Sequence, residues 1–193
     1  MSILRSWPTS WPEVSAQPTV IILASGRGER FTASGGQGSK LDALIGDRTV
    51  LQWTLDAVQA TGLPWHVEGA GHLGMGDSIA AAVRATSEAD GWLILPGDLP
   101  MISKQTITAV ADAIAHGAQA AYPLHAGQRG HPVGFAASAA FELQNLKGSQ
   151  GAAGVLSAQS AIEIIVNDAG CVTDIDTLEQ LDVARRLYQT RSL

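Results

Sequence analysis

The apolar run Val20-Ile21-Ile22-Leu23-Ala24 passes directly into Leu23–Lys40, LASGRGERFTASGGQGSK, and this junction constrains the fold more than any other stretch. β-Branched residues followed at once by small ones predict a buried strand that ends in a loop. The loop holds Gly26, Gly28, Gly35, Gly36 and Gly38, with Arg27, Arg30 and Lys40 among them. Glycine lets a backbone come close to a ligand, and exposed N–H groups beside cations make a cradle for phosphates. The loop therefore reads as a nucleotide-phosphate site; a glycine loop with solvated cations is the plain alternative. Two familiar phosphate loops are excluded. Gly38-Ser39-Lys40-Leu41 lacks the hydroxyl that must follow Gly-Lys in a P-loop. Phe31 stands where a dinucleotide fingerprint needs its third glycine, and its ring would oppose close helix–strand packing.

Downstream, strands and helices alternate. Val50, Leu51, Thr54, Leu55 and Val58 recur at helical spacing within Thr49–Thr61, which Gly62 closes. Trp65–Glu68 reads as a short strand and Asp77–Ala89 as a helix. Gly91–Pro96, GWLILP, is apolar enough to be buried on both faces. Ser103 predicts the N-cap of a helix over Lys104–His116. Gln119–Pro123, Val133–Ala136 (the latter open to an antiparallel setting) and Ile162–Val166 read as strands, and Thr173–Ile175 as an edge piece. Ala137–Leu146 and Ala152–Gln159 read as helices. Thr177-Leu178-Glu179-Gln180 fits a capping box for a last helix, Leu178–Gln189. Alternation of this kind predicts an α/β fold: a three-layer α/β/α sandwich on a mostly parallel sheet, with ligands beyond the carboxyl ends of the strands.

The 193 residues suffice for one domain, assigned to 19–193, behind an extended arm at 1–18 that carries Trp7, Trp11 and three prolines. A formal net charge of −6 argues against non-specific nucleic-acid binding. The single cysteine, Cys171, allows no internal disulfide, and no basic start with an apolar core marks a secretory signal, so a reducing cytoplasm is expected. No apolar stretch approaches the roughly 18 residues of a membrane span.

LASGRGERF followed by Lys40 resembles the signature loop of the MobA-like nucleotidyltransferases, closest to the molybdenum cofactor cytidylyltransferase branch. Ser25 stands for the usual second alanine and Phe31 for methionine, and the spacer before Lys40 is longer. Further matches are Gly74-Met75-Gly76-Asp77-Ser78, Pro96-Gly97-Asp98-Leu99-Pro100, Arg129-Gly130-His131-Pro132 and Asp174-Ile175-Asp176-Thr177. Only Leu63–Leu73 lies between the first helix and the Gly-Met-Gly loop, room for one strand, so one βα unit of the family's Rossmann-like, nucleotide-diphospho-sugar transferase type of sheet is shortened. Ser149 and Ala153 replace an Asp and an Arg of the family's L-x-G-D-x-G-A-R stretch.

The resemblance implies a catalytic set of Arg30, Lys40 and Asp98. It implies a nucleotide site made by Leu23, Ala24, Ser25, Gly26, Arg27 and Gly28, by Gly76 and Ser78, and by Pro96 and Gly97. It places Arg129, Gly130 and His131 near the acceptor. A carboxylate facing a triphosphate needs a metal between them, and magnesium takes few protein carboxylates; the resemblance makes Asp98 the metal aspartate. Its plain alternative is a turn aspartate. Asp174 and Asp176 would share a face of a strand, and one of them, Asp174 by preference, completes the Mg2+ site. Helix capping is the competing role for Asp176 or Thr177. A planar guanidinium such as Arg129 suits a phosphate.

The expected function is Mg2+-dependent transfer of a nucleoside monophosphate, CMP from CTP, to a phosphorylated small-molecule acceptor of the molybdopterin type, with release of pyrophosphate. A molybdoenzyme is the macromolecular partner the resemblance suggests. Three alternatives stay open: a transferase making a nucleotide-linked sugar or alcohol, a nicotine blue-type NAD(P)H reductase, and a chaperone that carries a molybdenum cofactor.

Overall fold

A computed structural model describes residues 17–26 and 28–191. In chain order the first half contains β1 (Thr19–Leu23), α1 (Glu29–Ala33), β2 (Leu44–Ile45), β3 (Arg48–Thr49), α2 (Val50–Gln59), β4 (Trp65–Glu68), α3 (Met75–Ala85) and β5 (Gly91–Pro96). The second half contains α4 (Lys104–Ala115), β6 (Ala120–His125), β7 (Gln128–Arg129), β8 (Val133–Ala136), α5 (Ala140–Gln144), α6 (Ala153–Ser157), β9 (Ala161–Ile165) and α7 (Leu178–Arg191). The arm expected at 1–18 falls almost wholly outside the described residues.

β1 lies between β4 and β5, parallel to both. β8 is antiparallel to β5 and to β6, and β9 returns parallel to β6. The sheet is mostly parallel with helices on both faces, as the alternating pattern predicts. A single strand, β4, separates α2 from α3 and forms the sheet's edge, which is the shortened βα unit.

Side chains alternate across a strand, and β1 uses both faces. Val20 and Ile22 pack with Leu93 and Leu95 against Val58 of α2 and Ile107 and Val110 of α4. Ile21 packs on the opposite face with Trp92, Ile94 and Phe135 against Ile79 and Val83 of α3 and Leu143 of α5. Val20, Ile21 and Ile22 are fully buried. Each such side chain contributes roughly 1.5–3 kcal/mol over an exposed one, which is why an uninterrupted apolar run, and not an alternating one, makes this strand. A third cluster joins Phe31, Leu41, Ile45 and Val50 to Ile175 and Leu181, so α7 covers the base of the opening loop.

Caps fix the helix starts. Thr49 and Gln52 form a reciprocal capping box on α2, and Ser103 caps α4. At α7 one arm of the expected box forms, Thr177 Oγ1 accepting from the Gln180 N–H at 3.3 Å, whereas the return arm is displaced by one residue: Gln180 Oε1 accepts from the Asp176 N–H at 2.8 Å.

Several boundaries differ from expectation. α3 begins at Met75 behind Gly74, two residues early. The strand expected at Thr173–Ile175 is irregular chain after a one-turn helix at Ala169–Val172, because the Ile175 N–H is taken by the Asp98 carbonyl and not by a neighbouring strand. α1 and two hairpins, β2–β3 and β6–β7, are additional. Among the described residues no helix is long and apolar enough to cross a membrane.

Candidate active site

A cavity of about 620 Å³ opens beyond the carboxyl ends of β1 and β5. It is where the opening loop, the Asp98 loop, the start of α3 and the Asp174–Asp176 segment meet. Of the residues expected in the site, Leu23, Ser25, Gly26, Arg30, Lys40, Ser78, Pro96, Asp98, Arg129, His131 and Asp174 line it. Ala24, Gly28, Gly76, Gly97 and Gly130 do not, and Arg27 lies outside the described residues.

Those non-lining residues shape the walls. The Gly97 N–H donates to the Leu23 carbonyl at 2.9 Å and its carbonyl accepts from Thr54 Oγ1 at 3.0 Å, so Gly97 ties β5 to β1 and α2. The Gly76 N–H donates to the Gly148 carbonyl at 2.9 Å, which takes it away from any ligand. A Cβ at Gly130 would lie 2.6 Å from the Cys171 carbonyl oxygen. Glycine is needed at Gly76 and Gly130 for close backbone approach, not for contact with a ligand. Ala24 is held by its N–H on the Glu68 carbonyl at 2.8 Å.

The opening loop is more ordered than a glycine-rich stretch suggests. Gly28 takes positive φ, 62°, ahead of α1, and Phe31 is buried in the third cluster. The ring displaced from the dinucleotide pattern is an anchor for the loop. Ser25 and Ser78 then join the two nucleotide-loop candidates through hydroxyls 2.9 Å apart. Ser149 and Ala153, whose family counterparts carry charge, are exposed and stand apart from the cavity lining. Their stretch instead packs on α3, where Asp77 Oδ2 accepts from the Gly148 N–H at 3.1 Å.

The charged centre is compact. Lys40 Nζ lies 2.6 Å from Asp98 Oδ2 and 2.6 Å from Asp176 Oδ1. Arg30 meets the other Asp176 oxygen at 2.6 Å. Burial alone would lower the Lys40 pKa, but the Asp98 and Asp176 carboxylates outweigh it and the net shift is upward. Burial would raise the Asp176 pKa; Lys40 and Arg30 reverse that and hold it below the usual carboxylate value. For Asp174, burial and then the charges of Asp176 and Asp98 prevail, and its pKa rises. Asp176 is open in sequence between a metal role and a capping role; its carboxylate gathers the two cations and also belongs to the acidic group it forms with Asp98 and Asp174.

Asp98, Asp174 and Asp176 each present an oxygen within 4.8 Å of the others. Asp98 Oδ1 is buried and has no hydrogen-bond partner. A buried anionic oxygen without a partner is costly, and hard oxygen donors suit a divalent cation such as magnesium or manganese. The residues present therefore fit a divalent ion, with Asp98 and Asp174 the least committed ligands.

His131 lines the same cavity; its N–H donates to the Cys171 carbonyl at 2.8 Å, and its Nδ1 is buried without a partner. Burial pushes the His131 pKa below its ordinary value, Arg129 adds to this, and Asp98 opposes it. The exposed Arg129 guanidinium sits 5.8 Å from the centre of the Tyr122 ring. Sequence reasoning missed the rim formed by His72 and Leu73, just ahead of the Gly74–Ser78 motif; a short glycine-flanked loop carries no periodicity that would reveal it.

The sequence matches the MobA-like NTP transferase domain family over residues 56–163. Among curated proteins none matches it. The crystal structure of Rv0371c from Mycobacterium tuberculosis H37Rv is 21% identical, with a TM-score of 0.76 over 90% of this chain and 99% of that one. The same protein in complex with manganese is 20% identical, with a TM-score of 0.71 over 90% of this chain and 100% of that one. Molybdopterin-guanine dinucleotide biosynthesis protein A from Archaeoglobus fulgidus is 17% identical, with a TM-score of 0.67 over 89% of this chain and 99% of that one.

Proposed function

The chain belongs to the MobA-like NTP transferase family and is a nucleotidyltransferase; from that premise we propose that it transfers CMP from CTP to the phosphate of a molybdopterin-type acceptor. An acceptor phosphate oxygen bonds to the α-phosphorus of CTP, the bond from that phosphorus to the bridging oxygen of the β-phosphate breaks, and pyrophosphate leaves with the electron pair. A molybdoenzyme is the partner this reading names for the product. The observation that carries it is the meeting in one cavity of Arg30 and Lys40 with the partly unpartnered Asp98.

Phosphoryl-type transfer depends mainly on positioning and on electrostatic stabilisation. Arg30 and Lys40 would neutralise the triphosphate, and the Ser25–Ser78 pair would border the base and ribose. Arg129 and His131, which line the same cavity, would orient the acceptor. Asp98 and Asp174 would hold a magnesium ion, which when bound supplies positive charge to the phosphate oxygens. The manganese complex of Rv0371c supports divalent metal use. For the base, a small residue with a Cβ at Ser25, where the guanylyl branch has glycine, favours the smaller pyrimidine.

Thermal-shift screening of the nucleoside triphosphates with magnesium tests the base. CTP is expected to give the largest shift; a clear preference for GTP would overturn this assignment.

A further inference from the structure

The two carboxylate oxygens of Asp98 differ in their surroundings. Oδ2 is 2.6 Å from the Lys40 ammonium, whereas Oδ1 is buried without a partner. The same ammonium is shared at 2.6 Å with Asp176, whose far oxygen is held by Arg30. Asp174 makes no ion pair among the described residues, although its carboxylate lies in the same acidic group. The Lys40 side chain is only 11% exposed. An ammonium that far from water is stable only with counter-charge beside it. It therefore has two anchors of unlike kind: Asp98, half-used and open to another ligand, and Asp176, saturated by cations.

We propose that Lys40 is a placeholder cation: it neutralises Asp98 until a divalent ion displaces it, and Asp176 keeps the displaced ammonium inside the site. This rests on the reading above that Asp98 holds the metal. A divalent ion arriving alone competes with a positive charge already seated on its own ligand, so it binds weakly. A triphosphate that draws Lys40 away relieves the competition, and by linkage the ion does the same for the triphosphate. Lys40 thus couples the entry of the two ligands, a role separate from contact with the distal phosphates.

The test is a titration of the metal-free full-length protein with Mn2+ in the absence of nucleotide, followed by electron paramagnetic resonance of the free ion. Lys40→Met is expected to bind Mn2+ about tenfold more tightly than the wild type, within the usual range for coupled sites. Lys40→Gln should behave alike and stands in if Lys40→Met does not fold, as checked by circular dichroism. Arg30→Met removes the same charge from Asp176 but not from Asp98, at a side chain 78% exposed. Screened by solvent, it should change affinity by less than about threefold. Equal tightening in Arg30→Met and Lys40→Met would reduce the effect to the general field of the site and overturn the placeholder. So would Lys40 variants that bind no more tightly than the wild type while Asp98→Asn loses binding; that outcome leaves the metal reading standing. If Asp98→Asn binds Mn2+ as the wild type does, the metal reading itself fails. In the wild type, nitrogen resonances of the lysine ammonium groups give a check that needs no variant: the Lys40 signal should move on saturation with Mg2+, and an unmoved signal contradicts displacement.

Discussion

The Ile175 amide donates a hydrogen bond to the Asp98 carbonyl at 3.0 Å. Through this contact the loop after β5 and the segment before α7 are joined although they are far apart in sequence. Ile175 is fully buried beside Phe31, Leu41 and Val50, so Asp174 and Asp176 flank an apolar anchor and face the cavity together. Ile175→Ala should cost about 2–5 kcal/mol of stability, as for other buried large-to-small changes. Denaturant unfolding measures it, and a loss under about 0.5 kcal/mol, the scale of an ordinary surface substitution, would contradict this anchoring role.

Lys40→Ala should weaken binding of a nucleoside triphosphate more than that of the monophosphate, because the ammonium would meet the distal phosphates. Calorimetry with CTP and CMP separates the cases. Equal weakening would argue that Lys40 serves the α-phosphate or the fold alone.

Much of the scaffold was legible in sequence because it follows periodicity. The runs at Val20–Leu23 and Gly91–Pro96 declared buried strands, and Val50, Thr54 and Val58 declared the inward face of α2. The parts that were not legible are short or depend on tertiary contact. α1 has five residues, too few for a helical period to appear. The β6–β7 turn uses Ala126 at φ 48° before Gly127 at φ 80°, and alanine gives none of the Asn-Gly or Asp-Gly signal that marks such turns. Gly76 and Gly130 looked like ligand-facing glycines, but the backbones that crowd them come from the Lys147–Gln150 stretch and Cys171. Asp176 shows its role only where Lys40 and Arg30 converge on it.

Resemblance assigns Arg129 and His131 to the acceptor, and both line the cavity wall. A guanidinium grips a phosphate through two parallel charge-assisted hydrogen bonds, each contributing roughly 1.5–3 kcal/mol. Arg129→Lys keeps the charge and loses the fork, so the acceptor KM should rise by about tenfold, the equivalent of about 1.4 kcal/mol. Steady-state kinetics with a molybdopterin-type acceptor decides it. Impaired CTP binding with an unchanged acceptor KM would put this wall on the nucleotide side.

Burial keeps the His131 pKa below its ordinary value of 6.5. The unfolded chain takes up this proton as pH falls through about 6.5, whereas the folded chain takes it up only at lower pH. In that window the unfolded state binds more protons, so stability is lost as pH falls from about 6.5 through the folded value. His131→Gln should flatten this part of the profile. Denaturant unfolding with chelator present, between about pH 8 and pH 5, tests it. An unchanged slope in the variant would place the sensitivity elsewhere.

In the proposed reaction Asp98 is the carboxylate that holds a divalent ion for nucleotidyl transfer. The most direct measurement is pyrophosphate release from CTP and a molybdopterin-type acceptor at increasing Mg2+, comparing wild type with Asp98→Asn. Wild-type release should require both acceptor and metal. Asp98→Asn should fold normally by circular dichroism and release no pyrophosphate at any Mg2+ concentration. Retained release in Asp98→Asn with an unchanged Mg2+ optimum would contradict the account.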